Sequence, residues 1–468
     1  MRHIQKRLFS AAVLAGWLVA PGVYGGITFT TLISFNGTNG ANPQANLLQG
    51  KDGNFYGTAP NGGANGNGTI FEISPDGSFF TNFYNFSAGS NGAAPVGALI
   101  LGADGNFYGT TFYGGVSNWG AIFRITTNGD YTRLGWFSGT NGANPQVALV
   151  QAADGSFYGA TTVGGPYTNT TPAGTGYGVI FRITTNGALS TPVLFNKTNG
   201  ANAAALIRGN DGNFYGATAW GGNTLVPWGV GTVFRLSPDG TFTNLYLFSG
   251  FNDGGFPYAN LVQGNDGNFY GAAFSGGEHN GGDLFRITPE GQFTNLYSFT
   301  GGSDGAWPYS ALVQGSDGNF YGTTYKYGNY GLGTIFEVTT NGDLTPLISF
   351  SGTSGAWLGE NPQGALVQGS DGNFYGTTYG GGTYNQGTVF RLSLPLPPVF
   401  KSVIQTTGMV TLVWSTVASQ TNQLQYSTNL AQTNWTDLGG AVVATNGIMT
   451  ASDPVGTDPQ RFYRVVLQ

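Results

Sequence analysis

Short apolar runs recur along most of this chain in a fixed order, each cut off by Gly, Asn or Asp. One period holds four of them. The first is three residues long and often ends in Gln, as at 47–49, 261–263 and 366–368. The second is Asn-Phe-Tyr-Gly-Thr or a close variant. The third, such as Thr-Val-Phe-Arg-Leu, has copies at Thr69–Ile73, Ala121–Ile125, Val179–Ile183, Thr232–Leu236, Asp283–Ile287, Thr334–Val338 and 388–392. The fourth is Phe-Thr-Asn-Leu-Tyr-Ser-Phe at 293–299, with relatives at 79–86, 131–137, 189–195, 242–248 and 344–350. Runs of this length, rich in aromatic and β-branched residues and bounded by turn formers, predict strands. Asp-Gly joins the first to the second, and Ser-Pro-Asp-Gly or Thr-Thr-Asn-Gly joins the third to the fourth. Both are hairpin signals, because these residues accept positive φ in a tight turn. Phe and Tyr stand side by side in the second strand, so they point to opposite faces of the sheet. Such a sheet must be covered on both faces.

The motif Asp-Gly-Asn-Phe-Tyr-Gly stands at 52–57, 104–109, 211–216, 266–271, 317–322 and 371–376, and Asp-Gly-Ser-Phe-Tyr-Gly fills 154–159. Seven copies spaced 50–57 residues apart indicate a propeller or a solenoid. The ends of the repeat region separate the two. An orphan strand of the fourth type, Phe-Thr-Thr-Leu-Ile-Ser-Phe at 29–35, precedes the first repeat, and the seventh repeat lacks one. A closed ring lets the N-terminal strand complete the last blade, whereas an open solenoid has no reason to match its ends. The expectation is an all-β chain with a seven-bladed β-propeller over 27–393, built of four-stranded blades and closed by strand 29–35.

The pairing of Asp-Gly-Asn-Phe-Tyr-Gly-Thr with Gly-Thr-Val-Phe-Arg-Leu resembles the GloVer tandem repeat of exported bacterial proteins, over about 27–393. Its alternation of strands with Asp-Gly turns is also similar, in pattern only, to NHL-type propellers. The GloVer resemblance implies export and a C-terminal module of the kind that attaches such proteins to surfaces. Neither resemblance supplies catalytic residues.

The segments outside the repeat fit export. Arg2, Lys6 and Arg7 precede an apolar run from Leu8 to Ala20, the layout of a signal peptide over 1–25. No other stretch is apolar and long enough to cross a bilayer as a helix, so no membrane span is expected in the mature chain. Leu-Pro-Leu-Pro-Pro at 394–398 reads as a semi-rigid linker. Beyond it, strand-like pieces at 410–414, 423–426, 435–438, 441–444 and 462–467, with Trp414, Tyr426, Trp435 and Tyr463 as core-sized rings, suggest a small fibronectin-III-like β-sandwich over 399–468.

Composition narrows the partners. Charged residues make up only 8% of the chain, the net charge is −6, aromatics reach 14% and Cys is absent. No basic run exists, which argues against nucleic acid as a partner. No His or Cys set has metal-ligand spacing, and no phosphate loop or nucleophile elbow occurs. No metal or cofactor is therefore expected.

In a four-stranded blade the Asp-Gly hairpins share one end, and the long Gly- and Asn-rich loops share the other. Binding residues concentrate on such loops. The candidate ligand-binding residues there are Trp119, Trp220, Trp228, Trp307, Tyr309, Tyr327, Trp357 and Tyr384. Ring faces beside amides suit sugars, although each ring also suits packing between blades. The carboxylates of the Asp-Gly turns are read as turn formers. The exception is Glu278 beside His279, with Asp253, Asp283, Asp304 and Glu360 in the same or nearby loops; Asp253 and Asp304 align with Asn39, Asn91, Asn141 and Asn199 and look like turn residues. The expected function is an exported, non-enzymatic binding or scaffold module for extracellular glycan or a surface protein. The alternative is a polysaccharide lyase or hydrolase with its site at Glu278 and His279.

Overall fold

The computed structural model describes residues 26–167, 176–222, 229–394, 399–406, 408–416, 421–429, 435–445, 448–454 and 461–467. The expected signal peptide, most of the linker and Trp228 lie outside the described residues. The described residues form strands and turns, with one three-residue 3-10 turn at Gly89–Asn91 and no α-helix. No helix among them is long and apolar enough to cross a membrane. The chain divides into two compact units, of which Phe29–Leu392 is one.

That unit carries seven antiparallel sheets, numbered here in chain order. Sheet 1 runs Leu48–Gln49, Phe55–Ala59, Thr69–Ile73, Phe80–Asn85, and sheets 2 to 6 repeat this order. Sheet 3 gains a fifth strand, Ala143–Pro145, paired with Phe157–Val163. Sheet 7 holds Val367–Gln368, Phe374–Thr378 and Thr388–Ser393, and its fourth strand is Thr28–Ser34 from the other end of the unit. Phe29 stacks on Phe390 at 5.2 Å. Phe35, fully buried, packs against Phe71 and Phe80 of sheet 1. The N-terminal strand thus bonds to the last sheet and packs on the first.

The second strand of each sheet is buried on both sides, as in Phe55–Ala59, Phe269–Ala273 and Phe374–Thr378. Its Tyr packs on the Phe of the following sheet. The pairs are Tyr56–Phe107, Tyr108–Phe157, Tyr158–Phe214, Tyr215–Phe269, Tyr270–Phe320, Tyr321–Phe374 and Tyr375–Phe55, with ring centroids 4.0–4.4 Å apart. The last of these joins sheet 7 to sheet 1 in the same geometry. Glutamine side chains repeat the linkage: Gln263 accepts from the Asn210 N–H, Gln314 from Asn265, Gln368 from Ser316, and Gln49 from Ser370, at 2.8–2.9 Å.

The Asp of the motif does more than turn the chain. It accepts from the backbone N–H two residues on and from the Tyr hydroxyl four residues on, the latter at 2.7–2.9 Å in six sheets. The Tyr ring therefore reaches the neighbouring sheet with its polar end already satisfied. In sheet 3, Asp154 instead holds Arg182 at 2.7 Å and Ser156 at 2.6 Å. The Gly that follows Tyr leaves room for the third-strand Phe: a Cβ on Gly57 would lie 2.3 Å from the Phe71 ring. The recurrent third-strand charge serves mainly its own sheet, as Arg182 and Glu72 do, and Arg391 reaches across to the Pro75 carbonyl.

The second unit includes the chain from Ser393 onward. Val399–Thr406, Met409–Ser415 and Ile448–Pro454 form one sheet. Thr421–Ser427 pairs with Thr436–Asp437, Val442–Val443 and Phe462–Leu467 in another. Val410, Leu412, Trp414, Leu424 and Tyr463 form the core, and buried Asp453 takes hydrogen bonds from Tyr463 and Arg461. The sequence reading missed two of these strands, 399–406 and 448–454.

Two outcomes test this packing. Phe269→Ala removes one inter-sheet ring and should lower unfolding stability by about 3–5 kcal/mol, read by denaturant titration. Partial burial raises the carboxyl pKa of Asp104, Asp211, Asp266 and Asp371, but hydrogen bonds from Asn and Tyr outweigh it and hold each below its usual value. Their contribution is present above the ordinary carboxylate range and lost as pH falls through the lowered folded value. The melting-temperature gap between wild type and Asp211→Asn should close as pH is lowered below about 4.

Candidate functional site

Strand order puts the Asp-Gly hairpins at one end of each sheet. The loops between second and third strands, and those between sheets, share the other end. The turns entering sheets 1, 3, 4, 5 and 6 are built alike. Asn39, Asn141, Asn199, Asp253 and Asp304 each accept the backbone N–H of the residue three or four positions earlier, at 2.7–2.9 Å. Asp253 and Asp304 also take the Tyr246 and Tyr297 hydroxyls. Both are turn residues, as their alignment with Asn indicates.

The loop aromatics gather most densely between sheets 5 and 6. Trp307 stacks on Phe274 at 5.9 Å and meets Tyr327 edge-on at 5.3 Å. Tyr309 stacks on Tyr258 at 5.3 Å and approaches Tyr325 at 6.1 Å. Phe274 touches both stacked tyrosines edge-on. Trp220 packs on Phe256 at 4.6 Å and interacts with the Tyr258 hydroxyl. An open cleft of about 460 Å³ lies in this cluster, lined by Phe274, His279, Asn280, Thr300, Trp307 and Tyr327 among others. The remaining candidates stand outside these contacts. Exposed Trp119 lies by Gly139 in the loops of sheets 2 and 3. Trp357 is half-buried with its N–H held by Ser351, and Tyr384 is exposed on the loop of sheet 7.

Glu278 and His279 are both exposed at the tip of the loop before Asp283–Ile287. His279 lines the cleft; Glu278 does not, and none of the lining residues is a carboxylate. Among the described residues no group of three or more His, Cys, Asp or Glu is arranged to hold a metal ion. The cleft can offer ring faces, the hydroxyls of Ser275, Thr300 and Tyr327, an amide and one imidazole.

The sequence profile of the Gloeobacter/Verrucomicrobia repeat matches residues 22–171, 168–356 and 227–441. The chain belongs to this repeat family. No curated protein sequence matches it. Among solved structures, the extracellular domain of a hybrid two-component system from B. thetaiotaomicron is similar with a TM-score of 0.54 at 12% identity. That match covers 83% of this chain and 45% of the other, so this repeat protein spans less than half of its neighbour. A protein described as a 6-phosphogluconolactonase from Bacteroides uniformis gives a TM-score of 0.47 at 14% identity, covering 85% of this chain and 98% of that one. A puromycin-hydrolyzing peptidase of Mycobacterium tuberculosis gives 0.48 at 13%, covering 83% and 61%. The first of these likenesses is one of fold alone, all-β and propeller-like.

One feature of this family member stands apart from its own repeat. The first residue of the third strand is Thr in sheets 1, 4, 6 and 7, and in sheets 4, 6 and 7 its hydroxyl pairs with a second-strand Thr at 2.8–2.9 Å. In sheet 5 the pair is Ala273 and Asp283. Asp283 is fully buried; Oδ1 accepts from Ser298 at 2.5 Å, and Oδ2 has no partner. Burial pushes its carboxyl up to about 6, with a smaller push from Asp253, against the pull of Ser298, Asn295 and His279. The sequence showed an Asp at a Thr position, which is the signal that marks it, but not its burial. A raised carboxyl makes its neutral form the favoured one, so stability falls as pH rises from about 4 through 6. Asp283→Thr should raise the melting temperature more at pH 7.5 than at pH 4, measured by thermal unfolding.

Proposed function

We propose that this chain is an exported, non-enzymatic binding module whose seven sheets are the blades of a closed propeller, followed by a small fibronectin-III-like sandwich. Three features support the ring: the Tyr–Phe contact from sheet 7 back to sheet 1, the Gln49 link to Ser370, and the sharing of Thr28–Ser34. The ligand is extracellular glycan, held on the aromatic long-loop end. The observation that carries this reading is the cleft of Phe274, Trp307 and Tyr327, where ring faces stand beside Asn280 and Thr300 with no carboxylate among the lining residues. Sites that bind neutral ligands are mostly apolar with a few placed polar groups.

A second reading, a lyase or hydrolase acting on polysaccharide, draws on His279 at the cleft wall beside Glu278. Glycoside hydrolysis ordinarily needs two carboxylates flanking the bond, and Glu278 is not among the residues that line the cleft. Binding therefore takes precedence.

The test is a glycan array probed with residues 26–468. Wild type should give a hit that Trp307→Ala weakens by at least about tenfold, as for a central aromatic anchor. The bound glycan should remain intact with wild type, Glu278→Gln and His279→Ala alike, and Glu278→Gln, which is not a lining residue, should leave binding in place. Cleavage lost in either variant, with folding unchanged, would transfer the assignment to the enzyme. A blank array would remove the glycan reading.

A further inference from the structure

The seven repeats act as controls for one another, and they single out two adjacent tripeptides. Each sheet is entered through a residue with left-handed backbone followed, in six of the seven, by Pro. That residue is Asn42, Ala94, Asn144, Asn202 and Asn361 in sheets 1, 2, 3, 4 and 7, with φ of 53–56°. Asn is among the few side chains that tolerate this conformation. In sheets 5 and 6 it is Phe256 and Trp307, at 55° and 61°. A bulky ring there is strained, and strain of this kind gathers at functional sites. The residue after Pro follows suit. Sheets 1, 3 and 7 read Asn-Pro-Gln at 42–44, 144–146 and 361–363, whereas sheets 5 and 6 read Phe-Pro-Tyr at 256–258 and Trp-Pro-Tyr at 307–309. The scaffold is thus built five times in this chain, in sheets 1, 2, 3, 4 and 7, without any ring at these positions.

The four rings are not scattered. Tyr258 and Tyr309 stack across the sheet boundary with an interplanar angle of 16°, Phe274 abuts both edge-on, and Trp307 stacks on Phe274 at the cleft. Phe256 extends the row to Trp220. All four residues are half-buried. None of the four carries a formal charge. Burial pushes the Tyr258 and Tyr309 phenols above their usual range, so their hydroxyls stay neutral donors and acceptors.

We infer that Phe256, Tyr258, Trp307 and Tyr309 form a continuous platform across two sheets for an internal stretch of a linear, neutral polysaccharide. This rests on the glycan reading above and adds to it the form of the ligand. A row of rings wider than one sugar cannot be filled by a terminal monosaccharide. The four rings themselves offer a charged chain no counter-charge on transfer from water, which selects a neutral one; Lys326 stands over the neighbouring Tyr325 ring.

The experiment replaces both tripeptides by the one that sheets 1, 3 and 7 already use: Phe256→Asn with Tyr258→Gln, and Trp307→Asn with Tyr309→Gln, in the full mature chain. Wild type and variant are titrated calorimetrically with neutral β-linked gluco-, manno- and xylo-oligosaccharides of two to six units. Wild type should bind a six-unit chain at least about tenfold more tightly than the two-unit chain of the same sugar, a difference of about 1.4 kcal/mol. The variant should melt no lower than wild type and lose that length dependence. Equal affinity for short and long chains, or a variant that binds as tightly as wild type, overturns the platform and leaves glycan binding standing. A variant that melts well below wild type makes the rings structural and also overturns it. If wild type binds none of the sugars, the glycan reading falls and takes the platform with it.

Discussion

The contact on which the rest of the repeat unit depends is the stack of one sheet's Tyr on the next sheet's Phe. Adjacent residues of a strand face opposite ways, so Phe-Tyr in the second strand gives each sheet one ring for each neighbour. Phe269 receives Tyr215 while Tyr270 goes on to Phe320. With no disulfide in the chain, this succession of buried rings has to supply much of the cohesion between sheets. It also explains why the motif is six residues long. The Asp satisfies the Tyr hydroxyl, the Asp-Gly turn sends the chain back, and the last Gly clears the third-strand Phe.

A scaffold fastened in this way frees its loop end. The hairpin end is committed to the Asp–Tyr bond in six sheets and to the Gln links between most of them, and it varies little from repeat to repeat. The opposite end is held by short backbone turns whose side chains can change without disturbing the stacks. Sheets 5 and 6 use that freedom. There the Asn of the entry turn gives way to Phe256 and Trp307, the following Gln to Tyr258 and Tyr309, and a buried Thr pair to Ala273 and Asp283. These departures lie in neighbouring sheets, and one of them, Trp307, lines the cleft, which is why the site is assigned there rather than to Trp119, Trp357 or Tyr384.

Much of this was legible in the sequence. The third strands fall where the pattern places them, from Thr69–Ile73 to Thr334–Val338, because each begins and ends at a glycine or a turn former. The home of strand 29–35 followed from counting strand types, and Thr28–Ser34 does pair in the last sheet. Strands 399–406 and 448–454 were missed because no repeat stands beside them for comparison. Their residues, among them Lys401, Ser402, Thr450 and Ser452, also mix polar and apolar positions. The long-loop aromatics were legible as a set, but not as a cluster of some and an exclusion of others.

By itself the sequence determined membership in the repeat family, the all-β class, the order of strands within each sheet and the end of the sheets that carries long loops. All of these are local or periodic properties, and a period repeated seven times is read with little error. Only the tertiary structure decided which rings meet across sheet boundaries, that Asp283 is buried while Glu278 is exposed, and that Phe256 and Trp307 hold a backbone conformation unsuited to them. Those facts depend on contacts between residues 30 to more than 300 positions apart and on the loss of water around particular groups, which no local pattern encodes.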